Sequence, residues 1–293
     1  MATATQWVEG ARLRTLPLSA APVLAGTGAA IGQDLGWGGR ELLAAVLAMI
    51  VSLALQVAVN YANDYSDGIR GTDDDRVGPF RLTGSRAARP EEVKRAAFTG
   101  FGVAGVAGLA LVLLSGHLWL LAVGVLCVLA AWYYTGGKHP YGYAGFGEVS
   151  VFVFFGLVAV LGTMYTQVGT ISGTGVGAAT GMGALACAVL VANNLRDIPT
   201  DAVSGKRTLA VRLGDPATRV FFTFLVATPF VLTLVISPWH PWTALSLLAL
   251  PLAKGPVTAV TSGETGLGLI PAVGGTGKLG LVWALLMGIG LAF

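Results

Sequence analysis

Charged residues are scarce in this sequence. Asp, Glu, Lys and Arg together make up 11% of the 293 residues, whereas soluble domains carry about 25%. Hydrophobic residues account for 54%, and the 42 glycines suit close packing of helices inside a bilayer. The composition therefore excludes an ordinary soluble domain. It predicts an integral membrane protein in contact with membrane lipids, with no nucleic acid among its partners.

Cysteine and histidine are scarce as well. Cys127 and Cys187 lie within apolar runs and lack the spacing of a zinc site, so we interpret them as packing residues. The three histidines are scattered along the chain, which argues against a histidine metal triad. Two glycine-rich strings, 173–177 and 274–277, lack the strand–turn–helix setting of a nucleotide-binding loop. We predict that they form turns between helices.

Apolar runs of about the length needed to cross a bilayer recur along the whole chain. They cover residues 16–33, 41–62, 96–115, 118–135, 149–167, 176–194, 219–237, 241–253 and 278–293. The runs predict an all-α membrane protein, a bundle of about nine transmembrane helices in a single domain, residues 1–293. We expect a lateral cavity accessible to lipid and cytoplasmic loops that cap the bundle.

The positive charges follow the alternation of the loops. If every run crosses the membrane, Arg40 lies on one side and the rest of the 18 lysines and arginines lie on the other. Lys254 and Lys278 then flank the loop before the last helix. Because cytoplasmic loops carry an excess of Lys and Arg, the pattern predicts a multi-pass protein of the cell membrane. Its N-terminus is expected in the cytoplasm and its C-terminus outside.

The second run ends in a cluster of amides and carboxylates. A helix that continues to Asp67 places Asn60, Asn63, Asp64 and Asp67 at positions i, i+3, i+4 and i+7. These positions form one stripe on the helix. Carboxylates beside hydrocarbon are costly to desolvate, so we expect a cation between them. An oxygen-only ligand set suits Mg²⁺ better than zinc.

A related segment ends the sixth run. Asn193-Asn-x-x-Asp197 repeats Asn63-Asp-x-x-Asp67 at an offset of 130 residues, and Asp201 follows one helical turn later. Both segments end even-numbered runs, so both acidic clusters are expected on the cytoplasmic face. Internal repeats of membrane proteins often place a site at the repeat interface. The predicted pseudo-repeat covers residues around 41–95 and 176–218.

Two acidic clusters at one membrane face suit a diphosphate that carries a hydrocarbon chain. Mg²⁺ bridges carboxylate and phosphate oxygens and helps a diphosphate depart, while the hydrocarbon lies among the helices. Basic residues of the same loops are able to hold the phosphates, although each alone also fits a topology charge near lipid headgroups. They are Arg70, Arg76, Arg81, Lys138, Lys206 and Arg207. Together these features predict a polyprenyl diphosphate substrate and an electron-rich acceptor.

The paired motifs resemble those of the UbiA-type intramembrane aromatic prenyltransferases, which implies a nine-helix fold. The resemblance rests on Asn63-Asp64-x-x-Asp67 and Asp197-x-x-x-Asp201 and extends over the whole chain. Longer strings are similar to one branch, the 1,4-dihydroxy-2-naphthoate polyprenyltransferases of menaquinone biosynthesis. These strings cover residues 14–17, 63–73, 76–82, 145–148 and 193–201.

The motifs and the resemblance together assign roles to individual residues, with Mg²⁺ as the cofactor. The expected catalytic residues are Asp64, Asp67, Asp197 and Asp201. The expected metal ligands are Asn63, Asp64, Asp67, Asp73, Asp197 and Asp201. The expected substrate-binding residues are Asn60, Asn63, Arg70, Arg76, Arg81, Lys138, Asn193, Asn194, Arg196 and Lys206. The sequence departs from the family pattern at Gly71, where a third Asp is usual, and Asp73 is expected to supply that acid.

The resemblance implies that the acceptor is 1,4-dihydroxy-2-naphthoate, whose hydroquinone ring is nucleophilic. Polyprenyl transfer with loss of CO₂ and pyrophosphate would then give demethylmenaquinone. Arg70 and Arg196 are alternative partners for the acceptor carboxylate. Tyr133 and Tyr134 are either aromatics that stabilise the allylic cation or members of the membrane-interface belt.

Two other functions agree with parts of the pattern. A prenyltransferase of another branch would use hydroxybenzoate, homogentisate or a chlorin as its acceptor. An ion-coupled transporter also carries acids in membrane helices. Transporter sites lie near the bilayer midplane, however, whereas these acids lie at helix ends beneath basic loops, which favours an enzyme. The prenyl chain length and the oligomeric state are left open by the sequence.

Overall fold

A computed structural model describes residues 2–71 and 80–293 of the protein. Within these ranges every regular element is helical and no strand is present. The α-helices are α1 (Ala4–Ala11), α2 (Leu16–Ile31), α3 (Gly39–Ile69), α4 (Pro90–Ser115), α5 (Leu120–Tyr133), α6 (Gly147–Val151), α7 (Ala159–Val168), α8 (Gly173–Val203), α9 (Leu209–Leu213), α10 (Asp215–Ile236), α11 (Leu250–Thr261) and α12 (Ile270–Ala292). A π-helical segment, Phe152–Val158, joins α6 to α7, and 3-10 segments lead into α11 and α12.

In the described ranges, 7 helical stretches are long and apolar enough to cross a membrane. They are Gly39–Ile69, Pro90–Ser115, Gly147–Val168, Gly173–Val203, Asp215–Ile236, Pro241–Thr261 and Gly266–Ala292. The shorter helices α2 and α5, of 16 and 14 residues, coincide with the two remaining apolar runs. The protein is therefore an all-helical multi-pass membrane protein, as predicted. The count of nine crossings, the lateral cavity and the capping loops stay predictions.

Both glycine-rich strings lie inside helices, so the prediction of turns is wrong. The first string begins α8, where the Ser172 hydroxyl accepts a hydrogen bond from the backbone N–H of Gly175 at 3.0 Å. The second string lies inside α12, where Gly275 packs on α11. A Cβ at Gly275 would lie only 2.7 Å from the Pro256 Cγ. In a bilayer such glycines are packing positions that let two helices approach closely.

The last two helical stretches are longer than predicted. α11 continues to Thr261 instead of ending near residue 253, and the final stretch begins at Gly266 instead of near residue 278. Lys254 and Lys278 consequently lie inside helices and do not flank the loop between them. Proline explains part of the underestimate, because Pro251 occupies the first turn of α11, where a helix tolerates it.

α8 is the central helix of the bundle. It buries a larger share of its residues than the other candidate spans, and it packs against α2, α10, α12 and the π-helical segment. Small residues allow this packing. A Cβ at Gly156 would lie 2.6 Å from the Cα of Gly183, and Gly181 leaves room for the fully buried ring of Trp283. Because α8 is held on several sides, polar residues at its C-terminal end have defined positions.

The C-terminal ends of α3 and α8 lie at the same end of the bundle, which we call the polar end. Lys206 follows α8 and lies within 4.0 Å of carboxylates from both helices. Two connecting segments reach the same end. The loop before α4 contacts α3 through Leu82, and the loop after α5 contacts α3 through Thr135. The polar end therefore gathers residues that are far apart in the sequence.

Candidate active site

Asp67, in the last turn of α3, is surrounded by donors. It is almost fully buried, and the Tyr143 hydroxyl donates a hydrogen bond to its Oδ1. The Arg81 Nη2 lies 3.6 Å from Oδ2, and the Lys206 Nζ lies 4.0 Å from Oδ1. A buried carboxylate is stable only when its charge is compensated by such partners. Asp67 is thus held by a hydroxyl donor and two cations at the polar end.

Lys206 links the two acidic motifs. Its ammonium group lies 3.9 Å from Oδ1 of Asp201 and 4.0 Å from Oδ1 of Asp67, and the residue is only 8% exposed. The same nitrogen lies 4.7 Å from the centre of the Tyr143 ring, a cation–π distance. The structure therefore brings one acid from each predicted motif to a shared cation.

Asp197 and Arg196 form a separate buried ion pair. The guanidinium donates from Nε and Nη2 to the two carboxylate oxygens at 2.7 and 2.8 Å. This bidentate arrangement is the strongest geometry for a carboxylate–arginine pair. Asp201 lies one turn further along α8, so the pair stands beside the Lys206 site.

Asp64 contacts the loop before α4. The side chain is 0% exposed, and its two oxygens accept hydrogen bonds from the backbone N–H groups of Leu82 and Thr83 at 2.7 and 2.9 Å. Gly68 permits this approach, because a Cβ there would lie 2.4 Å from the Thr83 Cγ2. In this structure Asp64 therefore holds the loop that presents Arg81 to Asp67.

Asn63 and Arg70 join α3 to the loop after α5. The Asn63 Oδ1 accepts a hydrogen bond from the Thr135 hydroxyl at 2.8 Å. The Arg70 guanidinium donates to the backbone carbonyls of Thr135 and Gly137 and lies 5.5 Å from the centre of the Tyr143 ring. These contacts fix the loop that carries Lys138, which is exposed.

Several other predicted site residues lie apart from the shared lysine. Asn60 donates to the Ala11 carbonyl at 2.9 Å and to the Thr15 hydroxyl at 3.0 Å, and its Oδ1 accepts a hydrogen bond from the Gln56 amide at 3.2 Å. Asn193 is half-buried on α8. Asp73 and Arg76 lie outside the described residues. The predicted roles of these four residues, Asn60, Asn193, Asp73 and Arg76, stay predictions.

Two tyrosines at the end of α5 have different surroundings. Tyr133 is exposed, as expected of an interface aromatic. Tyr134 packs against the start of α6, where a Cβ at Gly147 would lie 3.1 Å from the tyrosine hydroxyl oxygen. The electrostatic neighbours of the Tyr134 hydroxyl include Glu148, Tyr141 and Asp67. Of the two, Tyr134 is the one beside the acids.

Sequence reasoning missed Tyr143, Thr135 and Glu148 as members of the site. Tyr143 contacts Asp67, Arg70 and Lys206, and Glu148 accepts a hydrogen bond from Asn194. Residues 145–148 are among the strings that resemble one branch of the family, but no role was predicted for them. Single polar residues in a short connecting segment, or at the start of a short helix, have no periodic pattern, so only their neighbours in space reveal them.

The donor atoms at the polar end suit a hard cation. In residues 2–71 and 80–293 no three Asp, Glu, His or Cys side chains are gathered as a metal site. The protein's own cations occupy the acids instead, with Lys206 between Asp67 and Asp201 and Arg196 on Asp197. Carboxylate and amide oxygens are ligands that Mg²⁺ prefers. The acids and amides at the polar end are therefore suitable ligands for Mg²⁺. They become available to the metal when Lys206 and Arg196 turn from the carboxylates towards a bound anion.

The fold and the polar end define a class of protein, a helical membrane protein with buried acids and cations gathered at one end of its bundle. This arrangement suits an anionic headgroup on a hydrocarbon chain. Residues 19–262 match the UbiA prenyltransferase family, and the chain belongs to that family. It is a membrane-embedded prenyltransferase, and the resemblance predicted from its motifs is confirmed.

Curated relatives support the same branch. The chain is 56% identical over 295 residues to a Mycobacterium tuberculosis protein named 1,4-dihydroxy-2-naphthoate octaprenyltransferase. The alignment covers 100% of this chain and 99% of the relative. It is 40% identical to an Escherichia coli protein of the same name, over 84% of this chain and 82% of the relative.

Solved structures share the fold. A UbiA homolog from Archaeoglobus fulgidus bound to GPP and Mg²⁺ has a TM-score of 0.68 at 14% identity, with 98% of each chain covered. The apo structure of a UbiA homolog from Aeropyrum pernix K1 has a TM-score of 0.67 at 15% identity, covering 94% of this chain and 96% of the other. At these identities the likeness concerns the fold alone.

Proposed function

We propose that the protein transfers a polyprenyl group from a polyprenyl diphosphate to 1,4-dihydroxy-2-naphthoate in a Mg²⁺-dependent reaction. CO₂ and pyrophosphate are lost, and the product is the reduced form of demethylmenaquinone, a prenylated naphthoquinol. The observation that carries the proposal is the meeting of Asp67 and Asp201 at the Lys206 ammonium. It provides a charged site for a diphosphate at the end of an apolar bundle. The names of the relatives support the choice of acceptor.

The diphosphate is held by cations that already line the acids. Lys206, Arg81 and Arg196 lie within reach of Asp67, Asp201 or Asp197, and each is able to turn from a carboxylate to a phosphate oxygen. Arg and Lys are the usual partners of phosphate groups. Lys138 is exposed at the same end and is proposed to add a further contact.

The proposed magnesium ligands come from both helices. They are Asn63, Asp64, Asp67, Asp73, Asp197 and Asp201. Bound Mg²⁺ neutralises the charge that grows on the departing pyrophosphate. Asn63 and Asp67 lie on α3 and Asp197 on α8. For Asp64 to act as a ligand, it has to release the backbone N–H groups of the loop that it holds in this structure.

The acceptor approaches from the side of the aromatic residues. Its ring is electron-rich because of the two hydroxyl groups, and the half-buried Tyr134, near Glu148 and Asp67, offers a ring face that can stabilise an allylic cation. The carboxylate of the acceptor pairs with Arg70 or Arg196. The polar end is proposed to face the cytoplasm of a cell membrane, in agreement with the distribution of Lys and Arg.

The decisive experiment supplies purified protein with a polyprenyl diphosphate and a panel of aromatic acids. We expect one product, identified by mass as the decarboxylated prenylated naphthoquinol, and pyrophosphate release that stops when EDTA removes Mg²⁺. A product formed from hydroxybenzoate or homogentisate, but not from the naphthoate, would contradict the proposed acceptor. Absence of pyrophosphate release with every acceptor would contradict the reaction itself.

A further inference from the structure

Glu148, at the start of α6, is a buried acid that the proposed chemistry does not yet use. The residue is 5% exposed. Its Oε1 accepts a hydrogen bond from the Asn194 amide at 2.9 Å. Its Oε2 is buried and has no hydrogen-bond partner among the described residues. Buried polar atoms normally have partners, so an exception inside a site needs an explanation.

The position of Asn194 places this acid next to the two motifs. Asn194, Asp197 and Asp201 occupy positions i, i+3 and i+7 of α8, so they lie on one stripe of the helix. Asn194 is about one helical turn further from the polar end than Asp197. Glu148 therefore lies beside the acids but deeper in the bundle, on the side where the hydrocarbon and the acceptor ring belong.

Tyr134 connects Glu148 to the shared lysine site. Its hydroxyl is close to Gly147, the neighbour of Glu148, and its electrostatic neighbours include both Glu148 and Asp67. Among the described residues, the hydrogen-bond donors to Glu148 are neutral, namely the Asn194 amide and the Cys187 thiol, which donates to the Glu148 backbone carbonyl at 3.0 Å. Oε2 therefore needs a hydrogen-bond donor from a bound ligand, and a hydroxyl group is able to provide one.

We propose that Glu148, oriented by Asn194, is an acceptor-binding residue whose Oε2 accepts a hydrogen bond from a ring hydroxyl of the aromatic acceptor. This inference rests on the proposed function. A hydroxyl bonded to a carboxylate releases more electron density into its ring, which makes the ring a better nucleophile.

The substitution Glu148→Gln tests the proposal. Glutamine keeps the shape of the side chain and the oxygen that Asn194 contacts, but it replaces Oε2 with an amide group that donates hydrogen bonds. We expect the Kd and the KM for the dihydroxynaphthoate to rise at least about tenfold, as loss of a hydrogen bond to a charged group predicts. The KM for the polyprenyl diphosphate should stay unchanged.

Naphthoates with a single hydroxyl group show whether Glu148 binds a ring hydroxyl of the acceptor or only supports the structure of the site. Binding to the unloaded protein is measured through naphthoate fluorescence, with 1-hydroxy-2-naphthoate, 4-hydroxy-2-naphthoate and the dihydroxy compound. We expect Glu148→Gln to weaken the binding of the dihydroxy compound and of one monohydroxy compound, and to leave the binding of the other monohydroxy compound unchanged. An equal loss for all three, or no loss for any, would overturn the assignment.

Two controls complete the test. Glu9→Gln removes an exposed carboxylate from α1 and should bind all ligands as the unaltered protein does. The unaltered protein itself separates a failure of the proposed function from a failure of the role assigned to Glu148. If it fails to prenylate the naphthoate, the proposed function is wrong. If it is active and Glu148→Gln matches its acceptor affinity, only the role of Glu148 is wrong.

Discussion

At Lys206, one ammonium group is shared by carboxylates from two helices and covered by the Tyr143 ring. Asp67 and Asp201 would repel each other without a cation between them, so the lysine stabilises the site before substrate arrives. A divalent metal would need the same oxygens. A single residue is thus expected to couple metal loading to diphosphate binding, because the lysine leaves the acids more readily when a phosphate attracts it.

The first prediction concerns the competition between Lys206 and the metal. Lys206→Gln should bind Mn²⁺ about tenfold more tightly than the unaltered protein in the absence of diphosphate, because a competing positive charge is lost. It should bind prenyl diphosphate more weakly. Electron paramagnetic resonance titration of free Mn²⁺ measures the first effect. Lys138→Gln, which removes an exposed charge at the same end, should leave the Mn²⁺ affinity unchanged, and weaker Mn²⁺ binding by Lys206→Gln would contradict the argument.

The second prediction separates the two aspartates of α3. Asp67→Asn removes a charge from the shared lysine site and should lower kcat at least about a hundredfold, with a smaller loss of Tm than Asp64→Asn shows. Asp64→Asn places an amide donor against a backbone N–H of Leu82 or Thr83 and should lower Tm. Trypsin should also cut Asp64→Asn faster at the arginines of residues 81–89. Equal Tm values for both variants would show that Asp64 does not hold this loop.

Among the elements, close contacts through glycine determine how the helices stack. α2 and α12 meet where a Cβ at Gly28 would lie 2.0 Å from the carbonyl oxygen of Gly288. Membrane helices associate through such small residues because lipid provides little hydrophobic driving force between them. The π-helical segment meets α8 in the same way, and this contact helps to place α6, and with it Glu148, against α8.

The third prediction tests the contact between α2 and α12. Gly28→Ala should lower the Tm of the detergent-solubilised protein by several degrees, since the added methyl group pushes backbone apart. Gly102→Ala is the matched control, because a Cβ at Gly102 of α4 meets no atom within 4 Å and alanine is the better helix former. A Tm for Gly28→Ala that equals that of the control would contradict the contact.

For the molecule as a whole, the orientation in the membrane decides where substrate is taken up. The polar end carries the acids and most of the loops with Lys and Arg, and the proposed function places it in the cytoplasm. The opposite end includes the segment after α10, near Ser237. In the proposed reaction, the acceptor and Mg²⁺ reach the polar end from the cytoplasm, while the prenyl chain stays among the apolar helices.

The fourth prediction tests this orientation with single cysteines in a background that lacks Cys127 and Cys187. Ser85→Cys, in the exposed loop before α4, should react with a membrane-impermeant maleimide only after the membrane is opened. Ser237→Cys should react in intact cells. The reverse pattern of labelling would place the polar end outside, and the proposed function would then lack its source of soluble acceptor.

The sequence alone was sufficient for the class and the family, and it singled out Asp67 and Asp201, which the fold brings within 4.0 Å of Lys206. Hydropathy is a local and additive property, so the apolar runs could be located without knowledge of their neighbours, and each coincides with a helix. The motif residues were found because they recur at helical spacing. Proline and glycine misled the same reasoning in α8, α11 and α12, since in a bilayer these residues often pack helices together and do not end them.

Tertiary structure decided which groups meet. The pairing of Asp67 with Asp201 at Lys206, the hold of Asp64 on the loop before α4, and the buried position of Glu148 join segments that are far apart in the chain. Such contacts depend on how α3, α6 and α8 pack, and packing depends on side-chain shape, which no periodic pattern records. The sequence therefore determined what chemistry was available, and the fold determined where each group applies it.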